Sequence, residues 1–460
     1  MTEKRARFGS RFGIIMAAAG SAVGLGNIWR FPVETGNNGG AAFILIYLIS
    51  VVILGIPLMA AEFFVGRHAR SNTATAYRTL SKSPFWGNLG FFGVIGATLI
   101  MSYYIVVAGW VLKYMVLSAE GLLTTVGKGQ ETTTVFEGIF NRFSTDPVNP
   151  IIYMVLFIII CHISIVMGVQ KGIEKFSKIF MPVLFAILIV LTIFSLFAPG
   201  AAEGLSFLFH PDFSKLNSKS ILCAVGQSFY SLSLCMGCLC TYASYFGKDV
   251  NMVKSAISIS IIDSFVAIMA GMIIFPAVFS ANIDPQAGPS LVFIALPSAF
   301  LQAFGEWPII CYMVGVLFYA LLVLATLTSA ISLHEVPTAY ISESWHIKRS
   351  YAATIVTVVC IIFGIFCSLS MGIMGEIKLF DKTIFDLFDY TTTTLMLPLS
   401  GILITIFIGW KVKRSLFVDE LTNHGTIKSS IVTFILFVLR YIAPFALVIT
   451  FLNGLGLLDF

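Results

Sequence analysis

The sequence has very little charge. Only 11% of its 460 residues are Asp, Glu, Lys or Arg, whereas a soluble protein carries roughly 25%. Hydrophobic residues make up 58% and the mean hydropathy is +0.93. These values exclude a soluble globular domain. They predict an integral membrane protein, with the lipid bilayer as a partner. The net charge of +5 is informative through its placement along the chain, and no nucleic-acid partner is predicted.

Signals of enzyme chemistry are missing as well. The chain has no phosphate-binding loop, no nucleophile arrangement and no cluster of metal-ligating residues, so we expect no enzyme and no catalytic residue. The eight cysteines all lie in apolar runs, which excludes a disulfide framework. Cys235, Cys238 and Cys240 have a spacing that suggests metal binding, but no His, Asp or Glu is close by in sequence. We therefore interpret them as small residues that pack membrane helices together.

The apolar residues form continuous runs rather than the alternating pattern of a transmembrane barrel. Runs of about 20 residues predict an all-α bundle of about eleven membrane helices. The first run is too long, and lacks the cleavage pattern, for a signal peptide. Two external segments, about 119–149 and 198–219, are short of a domain, and 280–306 predicts a re-entrant or surface hairpin of short helices. The predicted spans are 12–35, 40–66, 87–118, 150–168, 176–197, 220–244, 252–279, 308–341, 351–372, 384–409 and 428–452.

Positive charge predicts the orientation of these spans. Basic residues before span 1 and after spans 2, 4, 6, 8 and 10 fall on one side of the membrane if the N-terminus is cytoplasmic. The other side receives a sparse set of lysines and arginines. With an odd number of spans, the C-terminus is then expected outside.

The stretch SAVGLGNIWRFP, Ser21 to Pro32, places helix breakers and an arginine at membrane depth. A second interruption, SLSLCMG from Ser231 to Gly237, lies in span 6, five spans later. Broken helices in corresponding positions of two halves are typical of transporters with inverted repeats. Freed carbonyls can bind a cation and freed N–H groups an anion, which offsets the cost of breaking a helix in lipid. The alternative for the two glycines at 24 and 26 alone is close helix packing.

Ionisable residues inside membrane spans are functional candidates. Arg30 needs a partner, and Asp386 and Asp389 at the external end of span 10 are the candidates for a pair that closes above a midplane site; a purely structural ion pair is the alternative. Lys113 and Arg440 are expected near span ends, with their charges reaching the interface. The ionisable candidates are Arg30, Glu62, Asp263, Glu335, Asp386 and Asp389.

Three stretches together resemble one family. GSAVGLGNIWRFP followed by NNGGAAF is similar to the first helix of the neurotransmitter:sodium symporters, AVGQSFYSLSLCMGCLCTYASYF (224–246) to their sixth, and LATLTSAISLHE (324–335) to their eighth. The similarity runs from about residue 8 to 410. It implies the LeuT fold in a single domain, 1–460, with one five-helix repeat over about 12–197, an inverted one over about 220–409 and an extra helix at about 428–452. Eleven spans rather than twelve resemble a bacterial member.

The resemblance implies two sodium sites. The first would use Ala22, Asn27, Ser231 and Asp263 together with the carboxylate of the substrate, so that ion and substrate bind as a unit. The second would use the carbonyls of Gly20, Val23 and Ala325 with the hydroxyls of Thr328 and Ser329.

The resemblance also implies a substrate pocket. The Tyr104 hydroxyl would bind the substrate carboxylate, and glycine at position 24 argues for an amino acid, because amine-selective relatives place an aspartate there. The implied pocket is Ala22, Gly24, Leu25, Gly26, Ile100, Tyr104, Tyr230, Ser231, Ser233, Met236, Ser329 and Leu333.

Three positions depart from the family pattern. Tyr230 replaces a frequent phenylalanine at the external lid. Met236 replaces a rigid aromatic on the pocket wall, and because methionine is flexible, bulky and aromatic substrates should fit. Asp263 stands where many members have asparagine, so its charge beside the sodium predicts chloride independence, and proton antiport if this region protonates on the return step.

Further implied roles concern gating. Arg30 and Asp389 would close the outside, above the thin lid of Tyr104 and Tyr230, while Arg5 and Glu343 would close the inside with Tyr245 nearby. Phe8 stands where the N-terminal latch usually has tryptophan. Glu62 would brace the break of span 6. Gly172 and Pro182 resemble a motif that lets span 5 unwind and release the second sodium.

The expected function is sodium-coupled symport of neutral hydrophobic L-amino acids by alternating access, across a bacterial inner membrane. A proton-driven permease of the same fold, a sensor that binds without transport, and a channel are the alternatives. Asn27 with Thr328 and Ser329 argue against the first, and the paired gates against the last.

Overall fold

A computed structural model describes residues 6–126, 132–281, 292–423, 425–426 and 429–458. Within these ranges the chain is helical and forms no β-sheet; one isolated bridge joins Leu379 and Lys382. The helices are α1 Arg11–Ala22, α2 Gly26–Asn37, α3 Ala41–Ala69, α4 Thr73–Ser81, α5 Pro84–Ala119, α6 Leu122–Thr125, α7 Thr132–Ser144, α8 Asn149–Val166, α9 Val169–Ser195, α10 Ala201–Phe209, α11 Ser218–Ser231, α12 Cys238–Ala243, α13 Met252–Ser280, α14 Ala295–Phe304, α15 Pro308–Ser344, α16 Arg349–Leu369, α17 Ile384–Lys411, α18 Arg414–Leu421 and α19 Ser430–Gly454.

The helices reproduce the predicted spans. Among the described residues, nine helices are long and apolar enough to cross a membrane, and α1 with α2 forms a tenth span bent by 52°. The remaining predicted span is present as two half-helices, α11 and α12, each too short to cross alone. Span ends agree with local chemistry, because Pro84 and Pro308 occupy first helical positions, where a missing N–H costs nothing.

The two breaks differ in length and conformation. Span 1 is interrupted only between Ala22 and Gly26, within the predicted Gly20–Gly26. Span 6 is interrupted between Ser231 and Cys238, as predicted. Its loop contains positive φ angles of 52° at Ser233 and 68° at Cys235, which side-chain-bearing residues rarely adopt. The surrounding structure must therefore hold this loop in place.

Small residues allow the helices around the breaks to approach closely. A Cβ built on Gly66 of α3 would lie 2.0 Å from the carbonyl oxygen of Cys240 in α12. One built on Gly109 of α5 would lie 2.7 Å from the backbone nitrogen of Met154 in α8. Backbone-to-backbone packing of this kind is how membrane helices associate without a hydrophobic driving force. It fixes α3 against the inner half of span 6.

The segments outside the spans are short helices. α7 lies in the predicted external segment 119–149, and α10 lies in 198–219. The predicted hairpin at 280–306 contributes α14, of which most residues are buried; positions 282–291 lie outside the described residues.

Candidate functional site

The first predicted sodium site is a closed ring of hydrogen bonds between three spans. The Asn27 Nδ2 amide donates to Asp263 Oδ1 at 2.7 Å and to Ser231 Oγ at 3.0 Å, and the Ser231 hydroxyl donates to Asp263 Oδ2 at 2.7 Å. Asn27 Oδ1 accepts the Gly24 N–H at 3.0 Å. Asp263 is completely buried, and within the described chain no Lys or Arg pairs with it. A buried carboxylate without a cationic side chain is suited to a bound cation.

Tyr47 belongs to this ring, although the sequence analysis did not single it out. Its hydroxyl donates to Asp263 Oδ2 at 3.1 Å and lies 3.3 Å from Ser231 Oγ. The Tyr47 aromatic ring packs against the Phe31 ring, with the two centroids 5.0 Å apart. The only sequence signal was a tyrosine inside an otherwise apolar run, which is too common in membrane helices to be specific.

The second predicted sodium site gathers the carbonyls at the end of α1. The Ser329 hydroxyl lies 3.4 Å from the Gly20 oxygen and 3.1 Å from the Val23 oxygen. Thr328 Oγ1 bonds the carbonyls of Leu324 and Ala325 in its own helix. All five predicted residues are thus brought together, and every group offered is a neutral oxygen. Oxygen is the ligand that hard cations prefer.

The two breaks enclose a cavity. Eleven of the twelve predicted substrate residues line it: Ala22, Gly24, Leu25, Gly26, Ile100, Tyr104, Tyr230, Ser233, Met236, Ser329 and Leu333. The twelfth, Ser231, turns its hydroxyl to Asp263 instead. The lining combines freed backbone with a few hydroxyls and an apolar wall, as expected for an amphipathic small molecule.

Gly24 is required by space rather than by conformation. A Cβ built at this position would lie 2.5 Å from Ser329 Oγ and 3.3 Å from the Tyr104 hydroxyl oxygen. Any side chain, an aspartate included, would displace Ser329 from the second predicted sodium site. The cavity wall therefore presents bare backbone at this position.

Ser233 connects the two breaks directly. Its hydroxyl donates to the carbonyl oxygen of Ser21, the penultimate residue of α1, at 2.8 Å. The bond is possible because the positive φ of Ser233 turns its side chain toward span 1. Gln227 adds a second connection, from Nε2 to the carbonyl oxygen of Gly26 at 3.0 Å.

Tyr230 separates the cavity from a larger one outside. The outer cavity has a volume of about 330 Å³ and includes Arg30, Glu34 and Lys219 in its walls. Tyr230 lines both cavities. The Arg30 guanidinium lies 4.5 Å from the centre of the Tyr230 ring, a distance at which a cation is attracted to the ring face. A single aromatic layer therefore covers the site on this side.

The predicted outer pair is not in contact in this structure. Arg30 Nε lies 3.6 Å from Glu34 Oε1, and no ion pair joins Arg30 to Asp389. Asp386 instead accepts a 2.8 Å hydrogen bond from Thr383 at the start of α17. Thr383 is the N-cap of α17 and Asp386 bonds back to it from the first turn, so Asp389 is the remaining candidate partner.

The side of the cavity toward the N-terminal segment, predicted to be the inner side, is closed by several layers. Phe8 is buried, its N–H donates to the Tyr245 oxygen at 3.3 Å, and its ring meets Tyr242 and Tyr245 edge-on. Phe8 thus ties the N-terminal segment to the residues that follow the break of span 6. The Tyr245 hydroxyl donates to Glu335 at 2.6 Å.

Glu335 pairs with Arg349, whose place in the sequence indicated only a basic residue in a loop. The Arg349 guanidinium makes two hydrogen bonds to the fully buried Glu335 carboxylate, one of 2.8 Å and one shorter, and its Nε donates to the Ile165 oxygen. Of the predicted inner pair, Glu343 accepts bonds from the backbone and side-chain nitrogens of Asn72, while Arg5 lies outside the described residues.

The start of α9 is attached to the N-terminal segment. Glu174 accepts the Gly9 N–H at 2.6 Å and the Ser10 hydroxyl at 3.1 Å, and pairs with Lys178. Gly172, two residues earlier, has no room for a side chain, because a Cβ there would lie 1.9 Å from the Ser164 oxygen. α9 is continuous through Pro182 in this structure.

Glu62 reaches the break of span 6, where its Oε1 accepts the Cys235 N–H at 2.6 Å. This contact places the residue at the predicted brace position. None of the eight cysteines forms a disulfide bond, and no group of three or more His, Cys, Asp or Glu in the described part of the chain could hold a metal ion.

Comparisons with known proteins agree with this geometry. Residues 5–134 and 144–458 match the family described as the sodium:neurotransmitter symporter family. The crystal structure of MhsT in complex with L-phenylalanine superposes with a TM-score of 0.88 at 41% identity, covering 98% of this chain and 100% of that one. The sodium-dependent transporter YhdH of Bacillus subtilis is 38% identical over 100% of this chain and 99% of its own length.

A sodium-dependent transporter of Haemophilus influenzae is 32% identical over 98% of this chain and 99% of its own length. The two segments matched by the family together include the two breaks and all the helices that line the cavity. The chain belongs to the sodium:neurotransmitter symporter family, and it is a multi-pass, sodium-dependent secondary transporter of the LeuT fold rather than an enzyme.

Proposed function

We propose that the protein imports neutral hydrophobic L-amino acids, bulky and aromatic ones included, together with sodium and by alternating access. The observation that carries this proposal is the cavity between the two breaks. It has bare backbone at Gly24, a buried tyrosine hydroxyl at Tyr104 and a flexible apolar wall at Met236. Backbone N–H groups and a hydroxyl suit a carboxylate, while Met236 suits side chains of different shapes.

The identity of the substrate has support from one relative. MhsT, 41% identical and similar along the whole chain, was crystallised with L-phenylalanine. An aromatic amino acid carries the carboxylate that the Gly24 region lacks and the apolar side chain that Met236 and Leu333 would contact. This agreement is the reason to place aromatic amino acids first.

Two sodium ions are proposed as co-substrates. The first would bind among Ala22, Asn27, Ser231 and Asp263, next to the substrate carboxylate, so that neither binds well alone. The second would bind between the carbonyls of Gly20, Val23 and Ala325 and the hydroxyls of Thr328 and Ser329. Binding at this second site would hold α1 against α15 and so favour the closed inner side.

Chloride independence follows from Asp263. Its buried carboxylate supplies one negative charge beside the first ion, and bound chloride would add a second negative charge close to it. Like charges so close in a low-dielectric site repel strongly.

Arg30 with Asp389 would close the outside during the cycle, and Arg5 with Glu343 would close the inside. The positive charges favour a cytoplasmic N-terminus in a bacterial inner membrane, with two inverted repeats in one domain.

Uptake into proteoliposomes tests the proposal. The purified protein should accumulate labelled phenylalanine when sodium is high outside, should not when choline replaces sodium, and should be unaffected when gluconate replaces chloride. Competition by unlabelled amino acids should be strongest for large apolar ones. The same vesicles without protein give the background.

Each alternative predicts a different result. A proton-driven permease would accumulate substrate with a pH gradient and no sodium. A sensor would bind phenylalanine in the presence of sodium but show no exchange in a counterflow assay. Loss of uptake in gluconate would disprove chloride independence while leaving sodium coupling intact.

A further inference from the structure

Arg440 is a cation in a membrane helix without an acidic partner. It lies in α19, is partly exposed, and donates from Nε to the carbonyl oxygen of Gly409 at 2.7 Å. No carboxylate of the described ranges is within ion-pair distance of it. The four N–H groups on its two terminal nitrogens form no bond to the described protein. A charge in this setting requires a counter-charge from elsewhere.

The depth of Arg440 follows from its neighbours. A Cβ built on Gly401 of α17 would lie 3.1 Å from both Cys235 Sγ and Leu447 Cδ1, so these positions are level with the break of span 6. Arg440 and Gly409 lie two helical turns further toward the end of α17, or about 11 Å. A break near the midplane leaves about 15 Å of hydrocarbon on each side. The guanidinium is therefore close to the edge of the hydrocarbon.

Two exposed aromatic side chains lie at the same depth. Trp410 and Tyr441 are 54% and 57% exposed, and their rings meet edge-on with centroids 6.4 Å apart. Tryptophan and tyrosine on a lipid-facing surface are typical of the headgroup region. Lys411, Lys413 and Arg414 follow directly in sequence and are exposed. The surface is thus amphipathic and of one charge sign.

The backbone geometry directs Arg440 to this surface. Both helices contain a π-helical turn here, Phe407–Lys411 and Val438–Ile442. A Cβ on Gly409 would lie 3.1 Å from Arg440 Cα, so the two backbones are nearly in contact. The arginine side chain runs past Gly409, with Nε bonded to its carbonyl oxygen, so the terminal nitrogens remain available to a ligand.

We propose that the Arg440 guanidinium binds the phosphate of an anionic phospholipid in the leaflet that adjoins Lys411, with Trp410 and Tyr441 against the glycerol region. Arginine forms paired N–H···O bonds to phosphate, and basic groups between membrane helices are suited to anionic headgroups. The bound lipid would connect α17 to α19. At this depth one side-chain hydrogen bond, from Arg440 to the Gly409 carbonyl, otherwise joins the described parts of the two helices. Lys411 would add a second positive charge for the headgroup.

Native mass spectrometry of the purified full-length chain tests this site. Protein released from nanodiscs of phosphatidylcholine with graded phosphatidylglycerol should retain phosphatidylglycerol. Arg440→Gln should lower the retained fraction about tenfold, the loss of charge-assisted hydrogen bonds, and Arg440→Lys should have an intermediate effect. Lys113→Gln is the matched control, because it removes another membrane-helix cation, 5.2 Å from the Tyr153 ring, and should leave retention unchanged.

Equal retention by wild type and Arg440→Gln would overturn the proposal, as would equal retention of the zwitterionic lipid or equal loss in Lys113→Gln. If Arg440→Gln does not fold, short-chain phosphatidylglycerol should still raise the melting temperature of the detergent-solubilised wild type more than short-chain phosphatidylcholine does. An equal rise with inorganic phosphate would assign the site to a free anion. A dimer mass lost in Arg440→Gln would assign the surface to a second copy of the chain.

Discussion

The two helix breaks solve the same problem in different ways. The break of span 1 covers a few residues, and its critical glycine, Gly24, is fixed by the lack of space beside Ser329. The break of span 6 is longer, has positive φ angles at Ser233 and Cys235, and depends on Glu62 to satisfy a freed N–H. The first break is limited by volume and the second by backbone conformation.

This difference separates two kinds of sensitivity. Substitutions at the first break should disturb binding of ions and substrate directly, since its backbone lines the cavity and lies against both predicted sodium sites. Substitutions around the second should act first on stability, and those on its cavity side should act on substrate choice.

The largest effect is expected for Gly24→Ala. The added methyl group would lie 2.5 Å from Ser329 Oγ, and a displacement of that size in a binding site costs about 100-fold in activity. Sodium-dependent uptake at saturating substrate measures it. Gly26→Ala is the control, because its Cβ would lie 3.1 Å from a Tyr230 ring carbon, which a small ring movement relieves. Equal losses in the two variants would contradict the argument from volume.

Asp263→Asn should weaken sodium dependence next. It removes the one charge of the ring formed with Asn27, Ser231 and Tyr47, so the sodium concentration for half-maximal uptake should rise about 30-fold, or about 2 kcal/mol. Uptake as a function of sodium, in chloride and in gluconate, checks this. Ser231→Ala keeps the charge and should have a smaller effect. An unchanged sodium dependence in Asp263→Asn would exclude this residue from the ion site.

Glu62→Ala should mainly destabilise the protein. It leaves the buried Cys235 N–H without its acceptor, which costs about 1–2 kcal/mol, whereas Glu62→Gln retains an acceptor oxygen. Thermal unfolding in detergent compares the two. If both variants unfold at the wild-type temperature, the second break does not depend on this brace.

Met236→Phe should change selectivity rather than turnover. A rigid ring on the cavity wall should lower the affinity for aromatic substrates relative to leucine by about tenfold, since pocket fit of this kind is worth about 1–2 kcal/mol. Competition against sodium-dependent uptake measures the ratio. A uniform loss of affinity for every substrate would contradict this interpretation and show that Met236 does not contact the substrate.

Glu420 provides a reference far from both breaks. Burial raises its pKa, but hydrogen bonds and charge from His68 and Arg67 outweigh it and lower the pKa to about 2, against an ordinary 4.5. Because the native pKa is depressed, the stabilisation is complete above about pH 4.5 and is lost as the pH falls toward 2. The Arg67 and Glu420 side chains are only 4% and 16% exposed, so the contribution should be about 1–3 kcal/mol.

The measurement is the melting temperature of wild type and Glu420→Gln between pH 7 and pH 3. The difference between them should shrink as the medium becomes acidic. A constant difference would show that Glu420 stabilises through packing.

The spans and the breaks could be predicted because their signals are local. Long apolar runs, the glycines of SAVGLGNIWRFP and the SLSLCMG interruption are each contained in one helix. The eleven cavity residues followed from resemblance to a family whose motifs lie in those same helices. The limits of the apolar runs agree with most helix ends to within a few residues.

The missed features depend on contacts between distant segments. Tyr47 meets Asp263 across 216 positions, and nothing around Tyr47 in sequence indicates it. Arg349 was counted among loop charges, because only the fold brings the start of α16 beside Glu335. The separation of Arg30 from Asp389 belongs to one conformation of a moving protein, which a sequence does not specify.

The bond from Ser233 to the Ser21 carbonyl bears on the order of events in the transport cycle. It joins the loop of span 6 to the half-helix α1, so any movement of α1 away from the cavity breaks this bond. We expect opening on this side to include a local event at Ser233, next to Met236 and the proposed substrate position. A substrate that contacts this loop would then set the timing of its own release.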